Sequence, residues 1–355
     1  MTHWFTLSIR ELRETLLDGR TTCAALTAYF LERIRRYGGR DGVNAIAALD
    51  PTAAQQAEML DRQGDRSLPL YGIPFLVKDN IDVAGLPTTA GSLAFTDNLP
   101  ETDAPIVRTL KAAGAICLGK TNMTELANFC AQGMPNGYSS AGGQVLNAYD
   151  RSVDPGGSSS GSAVAVSLGL VPFALGTDTS FSVIGCASRN GIYGWKPCQM
   201  DVDCDGILPI SRMLDTPGVF TRRFEDLLSV HQVISHRRCD ACVSEPPRTM
   251  GINTWREQDV SDQQLALYAT MVSRLQARGI SSERLCFPSS TLLKEIMYRD
   301  FTPSLEDYLR TAGADIRTTR RMLPRAPRYH DALRSRSAGK GAVPVRGAGQ
   351  RRKIG

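Results

Sequence analysis

The chain has 355 residues, of which 42% are hydrophobic and 22% charged, a composition typical of globular proteins. Its longest apolar run, residues 163–175, is interrupted by Ser167, Gly169 and Pro172 and is too short to span a bilayer. The first residues lack the basic and then apolar pattern of a secretory signal. Nine scattered cysteines, an odd number, indicate a reducing compartment, so we expect a cytoplasmic protein with no membrane span.

Charge is distributed unevenly along the chain. The net charge is +5, but residues 317–355 contain twelve Lys or Arg and one acid, whereas residues 1–316 contain 29 basic and 35 acidic side chains. The last segment is rich in Gly and Arg and has no helical or strand period, which predicts a disordered basic tail after a domain of residues 1–316. Such charge could attract nucleic acid or an acidic membrane. We favour a tail without a binding function and expect no nucleic-acid partner.

Helical and strand patterns alternate along the domain. Apolar positions at helical spacing, with capping and glycine signals, predict helices over residues 8–17, 22–37, 103–113, 122–130, 160–170, 225–234 and 261–278. Short buried runs predict strands over residues 72–78, 115–119, 171–175, 191–195 and 249–253. Residues 131–160, rich in Gly, Asn and Ser, are predicted to form a loop. The alternation favours an α/β domain with a mixed sheet.

Three residues in separate segments could form a hydrolytic site without histidine or metal. Ser158 and Ser182 lie in two loops rich in small residues, and Lys78 ends the apolar run Gly72-Ile-Pro-Phe-Leu-Val-Lys. Burial beside apolar side chains lowers the pKa of an amine, which allows it to accept a proton. Ser182 would then be the nucleophile, Ser158 a proton relay and Lys78 the base. On the residues alone, the more frequent roles are a solvated strand end for the lysine and turn or cap positions for the serines.

Four sequence blocks, in this order and spacing, resemble the amidase signature family. They are Gly72-Ile-Pro-Phe-Leu-Val-Lys-Asp-Asn, Pro155-Gly-Gly-Ser-Ser-Ser-Gly-Ser-Ala-Val-Ala, Leu175-Gly-Thr-Asp-Thr-Ser-Phe-Ser and Asn190-Gly-Ile-Tyr-Gly-Trp-Lys-Pro. The resemblance begins near residue 5, is clear to about residue 235 and weakens toward residue 316. It implies the amidase signature fold, a central mixed β-sheet covered by helices on both faces.

The resemblance also implies roles for individual residues. Lys78, Ser158 and Ser182 would form a Ser–cisSer–Lys triad, with the family's spacing of 24 between the two serines. The oxyanion hole would be formed by the backbone of Thr179, Ser180, Phe181 and Ser182, with Ser159 and Asp178 in supporting positions. The loop of residues 133–143 would contact substrate, with Gly133, Met134 and Tyr138 as candidates, or would simply connect its neighbours. The implied reaction is hydrolysis of a carboxamide through an acyl-enzyme, without a cofactor.

Within the family, the stretches that begin at Gly137, Ser182 and Gly206 most resemble the peptide-amidase-like branch. Peptide amidases remove C-terminal carboxamides, so the implied substrate is a small-molecule or peptide amide. Phe181 stands where the family usually has glycine, and its ring is expected to distort the oxyanion loop or block the pocket. Gly185-Cys186-Ala187 stands where proline is common. Family members are usually longer, and the basic tail resembles no part of them. A shifted reading frame near Asp315 would produce such a tail.

Two other functions stay open. The chain could be an amidotransferase subunit resembling the glutaminyl-tRNA type, which would require partner subunits. It could instead be a catalytically impaired or truncated member with a binding role or none. Cys239-Asp-Ala-Cys242 has no second ligand pair and the four histidines show no ligand spacing, so we predict no metal site. A homodimer is also compatible with the sequence.

Overall fold

The computed structural model describes residues 3–131, 133–236, 248–253, 261–285 and 291–311. Cys239, Cys242 and the tail predicted over residues 317–355 lie outside these ranges. Within the described ranges, no helix combines the length and the apolar character needed to cross a membrane.

Strands make up a central sheet and two small pairs. In chain order they are β1 (Ile46–Leu49), β2 (Pro74–Lys78), β3 (Ile116–Thr121), β4 (Tyr138–Ser139), β5 (Gly143–Gln144), β6 (Phe173–Asp178), β7 (Tyr193–Trp195), β8 (Thr216–Thr221), β9 (Thr249–Asn253) and β10 (Ser281–Leu285). The six-stranded sheet has the order β1-β3-β2-β6-β8-β7, while β4 pairs with β5 and β9 pairs with β10.

Helices alternate with these strands. In chain order they are α1 (Ile9–Leu17), α2 (Cys23–Arg33), α3 (Ala53–Gln63), α4 (Pro105–Ala112), α5 (Ser160–Ser167), α6 (Ile184–Asn190), α7 (Phe224–Ile234), α8 (Asp262–Gln276) and α9 (Thr291–Thr311). Helix α2 packs on β2 and β3, α5 packs on β2, β6 and β8, and α7 packs on β8. The predicted α/β class, with a mixed central sheet covered by helices, is confirmed.

The centre of the sheet is parallel and its margins are antiparallel. Strand β2 lies between β3 and β6 and runs parallel to both, while β1 and β8 are antiparallel to their neighbours. All five residues of β2 are buried, and Phe75 stacks on Phe173 of β6 with ring centroids 5.2 Å apart. Because parallel strands end at the same edge of a sheet, Lys78 at the end of β2 lies beside the end of β6.

Several predicted elements differ from those observed. The predicted helix over residues 122–130 is only a 3₁₀ turn, Glu125–Asn128, because Leu126 and Ala127 have left-handed φ values of 45° and 55°. Strand β8 escaped prediction because Pro217 and Gly218 read as chain breakers, yet the strand is fully buried between β6 and β7. Helix α9 escaped prediction because Pro303, which interrupts a helical pattern, lies inside it.

Helix α9 joins the domain through a buried tyrosine. The hydroxyl of Tyr308 donates to Oδ1 of Asp82 at 2.7 Å and accepts from Nδ2 of Asn98 at 3.0 Å. Burial raises the pKa of Asp82, and the hydrogen bond from Tyr308 acts in the opposite direction by stabilising the carboxylate. The helix is therefore held to the segment that follows β2 by a polar contact inside the protein.

We expect Tyr308→Phe to lower the free energy of unfolding by about 1–3 kcal/mol at neutral pH, because it removes one of the side-chain donors of a buried carboxylate, that of Asp82. The loss should shrink as the pH falls and Asp82 becomes protonated, since a neutral carboxyl needs that donor less. Urea unfolding at several pH values measures both effects. Tyr268→Phe, at an exposed position in α8, should have little effect. A Tyr308→Phe variant as stable as this control at every pH would contradict the role of the contact.

Candidate active site

Lys78 is fully buried at the end of the central strand β2. Its Nζ donates to Oγ of Ser158 at 2.8 Å and to Oγ1 of Thr177 at 2.7 Å, and it lies 3.3 Å from the carbonyl oxygen of Thr177. Asn80 donates from Nδ2 to the same Thr177 hydroxyl at 3.1 Å. The amine is thus surrounded by hydroxyl and carbonyl groups.

Burial lowers the pKa of Lys78 to about 8, although the nearby acidic groups Cys186, Asp178 and Asp215 act in the opposite direction. Desolvation disfavours the charged amine because the interior solvates charge less well than water does. A lysine with this pKa is partly neutral in the neutral to mildly basic range, unlike an ordinary surface lysine. It can therefore accept a proton as well as donate one.

The two serines continue the hydrogen-bonded chain toward the surface. Ser158 is fully buried, follows a cis peptide bond after Gly157, and donates from Oγ to Oγ of Ser182 at 3.0 Å. Ser182 is partly exposed. Its backbone neighbour Val183 is held by Asp178, whose Oδ2 accepts the Val183 amide at 2.7 Å. The structure therefore brings Lys78, Ser158 and Ser182 into one chain that runs from the interior to solvent.

The loop between β6 and α6 offers free hydrogen-bond donors. In the part of the chain that the structure describes, the backbone amides of residues 179–182 donate to no protein acceptor. Lys196 lies with Nζ 3.8 Å from Oδ1 of Asp178, at the start of this loop. Successive unpaired amides beside a hydroxyl are the kind of arrangement that can bind a developing oxyanion.

Ser159 lies behind the triad residues. Its Oγ donates to the carbonyl oxygen of Thr177 at 3.1 Å and faces the Thr177 amide at 3.3 Å, so it ties the start of α5 to β6. Gly176 leaves room for this contact, because a Cβ there would lie 2.8 Å from Oγ of Ser159. Ser159 and Asp178 thus both contact backbone next to the predicted site.

Phe181 lies against Gly185, so the two departures from the family pattern occur together. Phe181 is 64% exposed, and a Cβ at Gly185 would lie only 2.1 Å from the Cε1 atom of its ring. The φ angle of Phe181 is not positive, so its backbone conformation does not require glycine. The ring packs over the first turn of α6, and the hydrogen bond between Ser158 and Ser182 is formed in its presence.

The predicted substrate loop approaches the site through residues that sequence reasoning missed. Gly133 and Tyr138 are exposed and Met134 is half-buried. Asn136, by contrast, lies against the residue before Ser158, since a Cβ on Gly157 would be 2.4 Å from its Oδ1 atom.

Two other residues near the site were missed because their contacts join segments that are distant in the sequence. Thr124 donates its amide to the carbonyl oxygen of Ser158 at 3.0 Å and accepts the Gly137 amide at 2.8 Å. Thr177 lies inside one of the four sequence blocks, so its position was available from the sequence, but its contact with Lys78 was not.

Among the described residues, no three His, Cys, Asp or Glu side chains cluster so that they could hold a metal ion.

Comparison with known proteins gives the family. The sequence model described as Amidase matches residues 25–330. The chain belongs to the amidase family. Mandelamide hydrolase of Pseudomonas putida is 36% identical over 292 residues, which are 80% of this chain and 56% of that protein. A glutamyl-tRNA(Gln) amidotransferase subunit of Deinococcus radiodurans is 37% identical over 245 residues, 68% of this chain and 49% of that protein.

The peptide amidase of Stenotrophomonas maltophilia has a similar structure. It superimposes with a TM-score of 0.78 at 30% identity, over 94% of this chain and 73% of that chain. The predicted family and its fold are therefore confirmed for this amidase-family chain. The chain spans about half of the length of the curated relatives it matches.

We expect Thr177→Val to lower the free energy of unfolding by about 1–3 kcal/mol, because it removes the hydroxyl that two buried donors, on Lys78 and Asn80, share. Urea unfolding measures the change. Thr216→Val on the neighbouring strand is the matched control, since its hydroxyl has only a 3.4 Å contact with the next carbonyl. Equal losses in the two variants would contradict the importance of this contact.

Proposed function

We propose that the protein hydrolyses a carboxamide through an acyl-enzyme on Ser182, with Ser158 as relay and Lys78 as base. The observation that carries the proposal is the continuous hydrogen-bonded chain, with Nζ of Lys78 2.8 Å from Oγ of Ser158, and that oxygen 3.0 Å from Oγ of Ser182. Membership of the amidase family supports it. Nucleophile, relay and base within hydrogen-bond reach are what nucleophilic catalysis requires.

Acylation moves one proton inward along this chain. Neutral Lys78 accepts the proton of Ser158 at Nζ while Ser158 accepts that of Ser182, and Oγ of Ser182 bonds to the carbonyl carbon. The electron pair of the C=O bond moves onto oxygen, which the amides of residues 179–182 would stabilise. When the tetrahedral intermediate collapses, the C–N bond breaks and the leaving nitrogen receives the proton back through Ser158.

Deacylation repeats the same proton movements with water. Lys78, through Ser158, takes a proton from the water that attacks the acyl carbon. The bond to Oγ of Ser182 then breaks, the proton returns to that oxygen, and a carboxylic acid is released. The depressed pKa of Lys78 is central to both halves, because only the neutral amine can begin either step.

A small-molecule or peptide amide is the proposed substrate. Two relatives, a mandelamide hydrolase and a peptide amidase, are named for amides.

We also propose a cytoplasmic location, supported by the cysteines of the described ranges, all of which are free thiols. A homodimer stays a prediction that sedimentation would test.

Membership of an amidotransferase complex is the second candidate, supported by the 37% identical amidotransferase relative from Deinococcus radiodurans. A relative named as one member of a complex would act with partners that this chain alone does not supply. Glutaminase activity that appears only with partner subunits and tRNA would favour this candidate over a free-standing hydrolase.

We expect a fluorophosphonate to label Ser182 at a rate that rises about tenfold per pH unit in the acid range, since the neutral base is the active form. The rate should level off above about pH 8, the pKa of Lys78. Lys78→Met should abolish labelling while the protein stays folded, whereas Lys111→Met, which changes a lysine paired with Asp103 outside the site, should leave the profile unchanged. Mass spectrometry of the labelled peptide gives the site and rate. Undiminished labelling of the Lys78→Met variant would overturn the assigned base.

We expect Phe181→Gly to change the labelling rate by less than about tenfold, well below the roughly 100-fold expected when a reacting group moves by 1 Å. The reason is that the Phe181 ring packs on Gly185 while Ser182 keeps its hydrogen bond to Ser158. Wild-type protein without label, combined with labelling restored in Phe181→Gly, would instead favour the catalytically impaired member.

A further inference from the structure

Asp215 contacts the first residue of the loop that carries Ser182. Oγ1 of Thr179 donates to Oδ1 of Asp215 at 2.5 Å, and both residues are buried. Thr179 begins the run of amides that have no protein acceptor among the described residues. A charge-assisted hydrogen bond between buried partners is stronger and more directional than a neutral one. It therefore fixes the position of the chain where the loop leaves β6.

The carboxylate of Asp215 is itself held in place. Its Oδ2 accepts the amides of Ile210 at 2.7 Å and Ser211 at 3.1 Å, so three donors converge on one side chain. Burial raises the pKa of Asp215, and these three hydrogen bonds favour its ionised form. With both oxygens engaged, the carboxylate has little freedom to follow Thr179 if the loop shifts.

Helix α9 makes further contacts with the same turn. Asp300 accepts the hydroxyl of Ser211 at 2.5 Å and the amide of Met213 at 3.3 Å. Oγ of Ser304 accepts the amide of Arg212 at 3.2 Å. A chain of polar contacts therefore connects α9, the turn of residues 210–215 and Thr179.

The Ser182 loop is consequently fastened at both ends. Asp178 holds its far end through the Val183 amide at 2.7 Å, and Asp215 holds its near end through Thr179. Ser182 and the unpaired amides lie between these two anchors. Donors that must meet a developing oxyanion at hydrogen-bond distance depend on such fixed positions.

We infer that Asp215 is a positioning residue of this site, which holds the oxyanion-binding loop in place through the Thr179 hydroxyl. The oxyanion-binding role of the loop rests on the proposed function, but the anchoring itself does not. Asp215 also carries a charge near Lys78, as does Asp178, and each raises the pKa of that lysine. Anchoring and charge can therefore be separated by two variants.

Thr179→Val removes the anchor but leaves the carboxyl of Asp215 in place, with the two backbone donors that favour its ionised form. We expect fluorophosphonate labelling of Ser182 to slow by about 100-fold at the pH plateau, because the loop donors move relative to the reacting atom. The pH at half-maximal rate should change less than in Asp215→Asn, since the Ile210 and Ser211 amides still donate to a carboxyl that faces Lys78. Thr179→Ser, which keeps the hydroxyl, should restore labelling to near the wild-type rate.

Asp215→Asn keeps the anchor and removes the charge. An asparagine can accept the two amides at Oδ1 and donate from Nδ2 to the Thr179 hydroxyl, so the geometry is retained. We expect the plateau rate to be close to wild type and the pH at half-maximal rate to fall, because one group that raises the pKa of Lys78 is gone. Asp226→Asn is the control, since Asp226 is also buried and accepts a backbone amide, that of Ile9 at 2.7 Å, but does not contact the loop.

Hydrogen exchange tests the anchor without any reaction. The amides of Val183 and Gly185 donate to Asp178 and to the carbonyl of Phe181, so they report on loop order. Thr179→Val should raise their exchange rates, while Asp226→Asn should not. Unchanged exchange in Thr179→Val would overturn the inference. Raised exchange with a wild-type protein that takes no label would instead overturn the proposed function and leave the anchor standing.

Discussion

The site depends on a buried lysine that, among the residues the structure describes, has no carboxylate within hydrogen-bond distance. Nζ of Lys78 contacts the hydroxyls of Ser158 and Thr177, whereas Lys120, equally buried on the neighbouring strand β3, lies 3.6 Å from Oδ1 of Asp79. Burial lowers the pKa of both amines, but a direct ion pair stabilises the charged form of Lys120. The groups within hydrogen-bond distance of Lys78 in the described ranges are neutral, and its pKa of about 8 lets its amine exchange a proton near neutral pH.

The parallel centre of the sheet makes this arrangement possible. Strands β2 and β6 end at the same edge, so Lys78 and Thr177 meet there, and the start of α5 brings Ser158 over them. Open sheets commonly form sites where parallel strands end, because the chain leaves the sheet there in loops. Here the loop after β6 carries Ser182, and the antiparallel strand β8 is preceded by the turn that holds Asp215.

The region around Ser182 illustrates how a departure from a family pattern can be accommodated. Phe181 in place of glycine would be expected to crowd the loop, but its ring lies where Gly185 has no side chain. Neither residue alone predicts this fit, because the Phe181 ring is accommodated only where Gly185 has no side chain. The family follows from sequence and structure together, while activity, substrate and partners are proposals, since the chain spans about half the length of its curated relatives.

The sequence by itself determined the α/β class and the family, and it predicted a site at Lys78, Ser158 and Ser182, because strand and loop patterns are local and the motif blocks are contiguous. Only the tertiary structure decided that Thr177 accepts a hydrogen bond from Lys78, that Asn136 lies beside Gly157, and that Asp215 holds Thr179. These contacts join segments far apart in the chain, and a hydrogen bond depends on distances and angles that periodicity does not encode. Strand β8 and helix α9 were missed for a related reason, since burial between neighbours outweighs the local signal of a proline.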